Sequence, residues 1–166
     1  MSQLIKHGSY LTILCLCVLS VNGCWKPFPI KANQRLGWLH EITSELPTVP
    51  DSILLGTEAE IVRSRIPKCA TVVVRQLYGT NDYSLEEVIE LYEDSLDKTV
   101  WLVSHIDTDV ATFRSQEYGF LGVSDNYVWY PGLQDAVSLG QKQYETLYLV
   151  TLTAFVEPAT TKDECT

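Results

Sequence analysis

The chain has 166 residues and a mass of 18.7 kDa, and its 46% hydrophobic and 20% charged residues suffice for one folded domain. Its 12 Lys and Arg residues are outnumbered by 21 Asp and Glu residues, so the net charge is −9 at pH 7. This acidic balance argues against a nucleic-acid-binding protein, which needs a basic face, and against charge-driven docking on anionic lipid.

The N-terminal segment has the three parts of a secretory signal. A polar start containing Lys6 precedes the apolar run LTILCLCVLSV at residues 11–21, and Gly23 lies directly before Cys24. The run is shorter than the roughly 20 residues that a membrane-spanning helix needs. We therefore expect residues 1–23 to be a signal peptide, with a short membrane helix or a buried core helix as the alternatives.

The residues at this cleavage point, Val21-Asn22-Gly23-Cys24, resemble the lipobox of bacterial lipoproteins. The resemblance implies a thioether-linked diacylglycerol on Cys24, commonly with a third acyl chain on its amine. Because each buried CH₂ contributes about 0.8 kcal/mol, two or three acyl chains hold a protein at a membrane. The implied location is the cell membrane or the outer membrane. Cleavage without lipidation would instead give a secreted or periplasmic protein.

The five cysteines fit this scheme, because Cys15 and Cys17 lie in the expected signal peptide and Cys24 is the lipidation candidate. The remaining pair, Cys69 and Cys165, is a disulfide candidate in an oxidising compartment. The alternative is a buried Cys69 and a free thiol on Cys165. The mature part has no Cys-x-x-Cys pair, which argues against a zinc ribbon or a thioredoxin-like centre, and we expect no cofactor.

The mature chain opens with a proline-rich stretch, residues 24–52, which carries four of the seven prolines. Proline lacks a backbone N–H and has a fixed φ, so it disfavours helix interiors and central strands. We therefore expect a tether and entry segment here, followed by a folded domain over residues 53–156 and a polar tail over residues 157–166.

Secondary-structure signals in the expected domain follow the order β-α-β-β-β. Residues 69–78 are rich in β-branched side chains and predict a strand. Residues 84–97 predict a helix, because Ser84 and Glu87 form a capping-box pattern and the apolar residues recur on one helical face.

Three short β segments follow at residues 100–106, 109–115 and 118–123, and a long loop is expected over residues 124–143. Residues 144–156 are apolar on both faces, which is typical of a central strand covered on both sides. A single amphipathic helix needs a surface to pack against. The order of elements therefore predicts an α+β fold, with one helix packed on a mostly antiparallel sheet.

The helix and the strand after it resemble a loose set of small bacterial envelope proteins, many of them lipoproteins. The shared pattern S-x-E-E-V-x-x-x-Y-x-x-x-L-x-x-x-x-W is met by Ser84, Glu86, Glu87, Val88, Tyr92, Leu96 and Trp101. The resemblance covers about residues 46–155, although Val100 stands where the set usually has Gly. It implies a fold and an envelope location, and it carries no catalytic residue.

The motif His105-Ile-Asp107-Thr-Asp109 is the best candidate for chemistry. Side chains alternate along a strand, so these three would share one face, and a His with two carboxylates can hold a metal or act as an acid–base pair. The alternative is an Asp-rich turn at the end of a strand. No H-E-x-x-H or G-x-S-x-G motif accompanies the three residues.

A group of aromatic residues, Tyr127, Trp129 and Tyr130, lies beside Pro131-Gly132 in the expected loop. Aromatic side chains on a loop that a rigid sheet supports often anchor ligands or partner proteins. The alternative is that the three rings close the open end of the sheet. If the protein acts through binding, this loop is the best candidate for the contact site.

Together these features favour a lipid-anchored, non-enzymatic binding or interaction module of the cell envelope. Its expected partners are a membrane, through the lipid, and an envelope protein, and no nucleic acid is expected. One alternative is a small secreted hydrolase or metal-dependent enzyme built on His105, Asp107 and Asp109. Another is a structural subunit of an envelope complex.

Overall fold

A computed structural model describes residues 30–63 and 70–156 of the chain. The elements are helices α1 (Ile30–Glu45), α2 (Leu85–Ser95) and α3 (Gln134–Gly140), strands β1 (Ile53–Arg63), β2 (Ala70–Thr80), β3 (Leu102–Ile106), β4 (Val110–Ser115), β5 (Gly119–Ser124) and β6 (Thr146–Val156), and 3₁₀ turns at Asn126–Trp129 and Pro131–Leu133. The predicted α+β class is confirmed. The expected signal peptide, Cys24, Cys69, Cys165 and the polar tail lie outside the described residues.

The six strands form one sheet in the order β1-β2-β6-β5-β4-β3, and every pairing is antiparallel. Strand β6 pairs with β2 over its full length, from Thr146 opposite Thr80 to Val156 opposite Ala70. Its other edge pairs with β5. The expectation that the last strand is central is therefore confirmed.

Helices α1 and α2 cover one face of the sheet and enclose the main core. Helix α1 contacts β2 and β6, and α2 contacts β5 and β6. The buried side chains of this core include Leu39 from α1, Val88, Ile89 and Tyr92 from α2, and Val72, Val74, Phe113, Leu121 and Leu152 from the strands. Burial of each large apolar side chain contributes about 1.5–3 kcal/mol, so this layer supplies most of the stability.

Helix α1 corrects the expectation of a tether over residues 24–52. Its 16 residues lie inside that segment, and Ala32 and Leu39 are fully buried against the sheet. The prolines do not interrupt it, because Pro29 comes just before its first residue and Pro47 comes after its last. Proline disfavours only the interior of a helix. The domain therefore includes α1, and its described part begins before residue 53.

The opposite face of the sheet is covered at one end by the segment that was expected to be a loop over residues 124–143. That segment folds into the two 3₁₀ turns and α3, and it forms a second, smaller core. The buried members of this core are Leu77 from β2, Leu147 and Leu149 from β6, and Leu133 and Val137 from the segment itself. We call residues 124–143 the cap. None of the helices in the described ranges combines the length and the apolar character that a membrane span requires.

Candidate functional site: the aromatic cap

The structure separates the three aromatic residues of the cap. Tyr127 and Tyr130 are partly buried and pack against the second core. Trp129 is 78% exposed, more than any other large hydrophobic side chain in the part of the chain that the structure describes, and its neighbour Val128 is 57% exposed. The two tyrosines therefore close the end of the sheet, and the tryptophan stays available for a contact.

The ring of Tyr130 in the cap is held in place by Arg75, a buried arginine of strand β2. The guanidinium of Arg75 in β2 lies 4.1 Å from the centre of the Tyr130 ring, which is a cation–π geometry. Arg75 is only 8% exposed, and its Nη1 contacts the carboxylates of Glu60 at 2.6 Å and Glu58 at 3.5 Å in β1. This Arg75 cluster links the cap to the two outermost strands on that side of the sheet.

Gly132 brings the cap backbone directly over the Arg75 cluster. A Cβ atom at this position would lie 2.5 Å from Oε1 of Glu58, so a larger residue would displace the Glu58 carboxylate. Glycine at this position therefore leaves the Glu58 carboxylate in its place beside Arg75.

The backbone on both sides of Trp129 is also fixed. The side-chain amide of Gln134 donates hydrogen bonds to the carbonyl oxygens of Val128 at 3.0 Å and Tyr130 at 3.2 Å. The amide N–H of Leu133 donates to the carbonyl of Tyr130 at 3.0 Å. The indole is therefore presented on a rigid turn. Such a side chain offers a large flat apolar surface and one N–H donor at a small entropic cost.

The sequence did not point to the Arg75 cluster, although it contained a signal. Arg75 interrupts the apolar run of β2, and a charge inside a buried strand requires a partner. Its partners Glu58 and Glu60 belong to β1, a strand that the sequence analysis did not predict. Without that strand the two acids had no assigned place beside Arg75.

His105, Asp107 and Asp109 are exposed residues at the hairpin between β3 and β4. The amide N–H of Asp107 donates to the carbonyl of Val110 at 2.8 Å, and its Oδ1 accepts from the N–H of Thr108 at 2.8 Å. The Asp107 carboxylate therefore shapes the turn. Within residues 30–63 and 70–156, no set of three His, Cys, Asp or Glu side chains is placed to hold a metal ion.

Buried tyrosines form a further polar group inside the main core. The rings of Tyr78 and Tyr148 stack with centroids 5.3 Å apart, and the Tyr148 hydroxyl donates to Oγ of Ser52 at 3.0 Å. Burial raises the pKa of Tyr148 to about 12 and also raises the pKa of Tyr92 well above its ordinary value. Both hydroxyls stay protonated near neutral pH, so this group belongs to the core and is unsuited to proton transfer there.

No similar protein indicates a function for this chain, so the geometry of the described residues is the main evidence. The chain matches no family model, no curated protein and no solved structure.

Proposed function

We propose that this protein is a non-enzymatic binding module of the cell envelope, held at a membrane by lipid on Cys24 and contacting an envelope partner through Trp129. The lipid anchor rests on the lipobox resemblance of Val21-Asn22-Gly23-Cys24. The contact rests on the geometry of the cap.

The observation that carries the proposed contact is the exposure of Trp129 on a rigid support. An exposed indole on a backbone that hydrogen bonds already hold in place gains apolar burial on binding, and the backbone loses little freedom. Tryptophan is among the residues that contribute most at interfaces, where its truncation costs about 2 kcal/mol or more. The exposed Val128 beside it enlarges the apolar area that a partner would cover.

The proposed anchor also constrains where the domain lies. Only residues 25–29 separate Cys24 from the first residue of α1. A fully extended segment of that length reaches about 20 Å. A lipid on Cys24 would therefore keep the start of α1 within about 20 Å of the bilayer surface, where the partner would be a protein of the same envelope.

Metabolic labelling with an alkyne-tagged fatty acid tests the anchor. We expect label on the full chain and none on the Cys24→Ser variant, because the serine oxygen does not form the thioether. Label that persists in Cys24→Ser would contradict lipidation at this residue.

Photo-crosslinking in intact cells tests the contact. A photoreactive amino acid at position 129 should give a discrete adduct with one protein, and the same label at Leu139 is the control, because that side chain is 52% exposed on α3 of the same cap. Once the partner is identified, Trp129→Ala should weaken its binding about 30-fold, and Leu139→Ala should not. Equal adducts from both positions, or unchanged binding by Trp129→Ala, would refute the site.

A further inference from the structure

A groove of about 270 Å³ opens between the C-terminal ends of α1 and α2, away from the cap. Its lining includes Ile42, Glu45 and Leu46 from the end of α1, Asp97 after α2, and the rings of Trp101 and Tyr118. This volume is close to the lower limit for small-ligand sites, which suits a compact ligand or one inserted side chain.

Two helix C-terminal ends and two carboxylates contribute negative charge to the groove. Both helices end at the groove, and neither has a basic residue in its last turn. The C-terminal end of a helix carries about half a negative charge on its free carbonyl groups. The charged side chains of the lining are Glu45 and Asp97, and both are acidic.

Asp97 is fixed in its ionised form. Its Oδ1 accepts hydrogen bonds from the Thr99 hydroxyl at 2.7 Å and from the Thr99 amide at 2.8 Å. These two bonds lower the pKa of Asp97, with the hydroxyl contributing the larger effect. The carboxylate is thereby held at a fixed place on the rim of the groove.

The aromatic wall of the groove is rigid. Tyr118 contacts Trp38 on one side and Trp101 on the other, with ring centroids 5.4 Å and 5.7 Å apart. Trp101 is 6% exposed, so its position is set by the core. The rings of Tyr118 and Trp101, together with Ile42 and Leu46, offer an apolar surface next to the acidic rim.

We propose that this groove binds a primary ammonium group on a short aliphatic stem. The stem packs on the aromatic and aliphatic wall, and the ammonium meets the two carboxylates at the negative ends of the helices. This ligand chemistry is independent of the proposed contact at Trp129. It is supplied either by a free alkylamine or by a lysine side chain of a partner protein.

Isothermal titration calorimetry of the full chain tests the ligand class with three matched probes: 3-methylbutylamine, 3-methylbutanol and 3-methylbutanoate. The three share one aliphatic stem and differ in charge. We expect binding of the amine, weaker binding of the alcohol and none of the carboxylate. Equal binding of amine and alcohol, or no binding of the amine, would overturn the proposal.

A pair of variants places the amine in the groove. Glu45→Gln removes a rim carboxylate and should weaken amine binding about two- to fivefold, as expected for a partly exposed ion pair. Glu41→Gln is the matched control, because Glu41 is an exposed acid one turn earlier on α1 and is not part of the lining. Both glutamates are exposed, so we expect unchanged urea midpoints. An equal effect of both variants would show attraction to the net charge alone and would overturn the site.

Fluorine NMR of the full chain labelled with 5-fluorotryptophan gives an independent readout. The chain has four tryptophans, and Trp101→Phe assigns the signal of the residue in the groove. The amine should shift the Trp101 signal and leave the Trp129 signal in place. A shift of the Trp129 signal without a shift of the Trp101 signal would contradict the proposed position of the amine.

Nα-acetyl-lysine methylamide distinguishes the two sources of the ammonium group. Binding as tight as that of 3-methylbutylamine identifies a lysine side chain as the natural ligand. Binding of the free amine alone identifies a small alkylamine. Failure of both probes would overturn the proposal, whatever the outcome of the tests on Trp129.

Discussion

At the scale of single residues, Arg75 connects the folding of the sheet to the presentation of Trp129. Its guanidinium contacts two carboxylates of β1 and the ring of Tyr130 in the cap. Its Nε has no hydrogen-bond partner, so the side chain is held mainly through Nη1 and the ring contact. A buried charge with these partners stabilises one position of the cap relative to the sheet.

The Arg75→Met substitution should therefore destabilise the protein by about 2–3 kcal/mol, because it leaves two carboxylates close together under the cap without a counter-charge. Glu60→Gln is the matched comparison. Because the Glu60 side chain is 44% exposed, this substitution should lower the free energy of unfolding by less than about 1 kcal/mol. Urea unfolding monitored by circular dichroism measures both values. Equal losses of unfolding free energy in the two variants would show that the Arg75 cluster is no more than a surface ion pair.

At the scale of elements, α2 is the one whose start could be read from the sequence. Ser84 Oγ accepts from the Glu87 amide at 3.3 Å, and the Ser84 amide donates to Glu87 Oε2 at 2.7 Å. Both bonds of the predicted capping box are therefore present, and the helix begins at Leu85. Local patterns of this kind are predictable because all their partners lie within four residues.

Helix α1 and strand β1 lacked such local signals. Helix α1 has no acid in its first turn, no base in its last turn, and Gly37 in its interior. Strand β1 carries Glu58 and Glu60 among its apolar residues and is interrupted by a register shift between Leu54 and Gly56. Both elements are stabilised by packing against β2, which is a tertiary effect that the pattern of a single segment does not contain.

The capping box predicts a specific response to substitution and to pH. Ser84→Ala should destabilise the protein by about 1 kcal/mol at neutral pH, because the Glu87 amide at the start of α2 loses the hydroxyl oxygen to which it donates. The backbone and hydroxyl bonds from Ser84 lower the pKa of Glu87 from 4.5. Because the folded pKa is below the unfolded one, this contribution is complete above the unfolded value and is lost as the pH falls through the folded value.

Carbon-detected NMR titration of the Glu side chains measures this effect. Glu87 should titrate at a higher pH in Ser84→Ala than in the natural chain, because the bond from the Ser84 hydroxyl is lost and only the bond from the backbone amide remains. The acid side of the stability profile should become less steep in the variant. An unchanged titration of Glu87 in Ser84→Ala would show that the Ser84 hydroxyl does not contribute to its lowered pKa.

At the scale of the whole molecule, the sheet brings distant parts of the chain together. Strand β6 is last in the sequence but lies between β2 and β5, so its neighbours come from positions more than 20 residues away. The sequence predicted a covered central strand but could not predict its neighbours, because strand pairing depends on contacts that no local pattern encodes. For the same reason the groove between α1 and α2 was not predicted, since its lining comes from separate segments.

The strand register gives the disulfide candidates a structural context. Ala70, which follows Cys69, lies opposite Val156, the last residue of β6, and Cys165 comes nine residues later. Val156 therefore lies beside the residue that follows Cys69, and a stretch of nine residues can span up to roughly 30 Å, which is enough for Cys165 to reach Cys69. We expect a Cys69–Cys165 disulfide, which would close a loop of about 100 residues.

Peptide mapping of the non-reduced protein by mass spectrometry should find Cys69 and Cys165 in one linked peptide pair. Reduction, or the Cys165→Ser substitution, should lower the free energy of unfolding by up to about 4–5 kcal/mol, because the unfolded chain regains the entropy of the open loop. The Cys69→Ser variant should lose the same amount, and the double variant should lose no more than either single one. Two free thiols in the non-reduced protein, or additive losses, would contradict the bond.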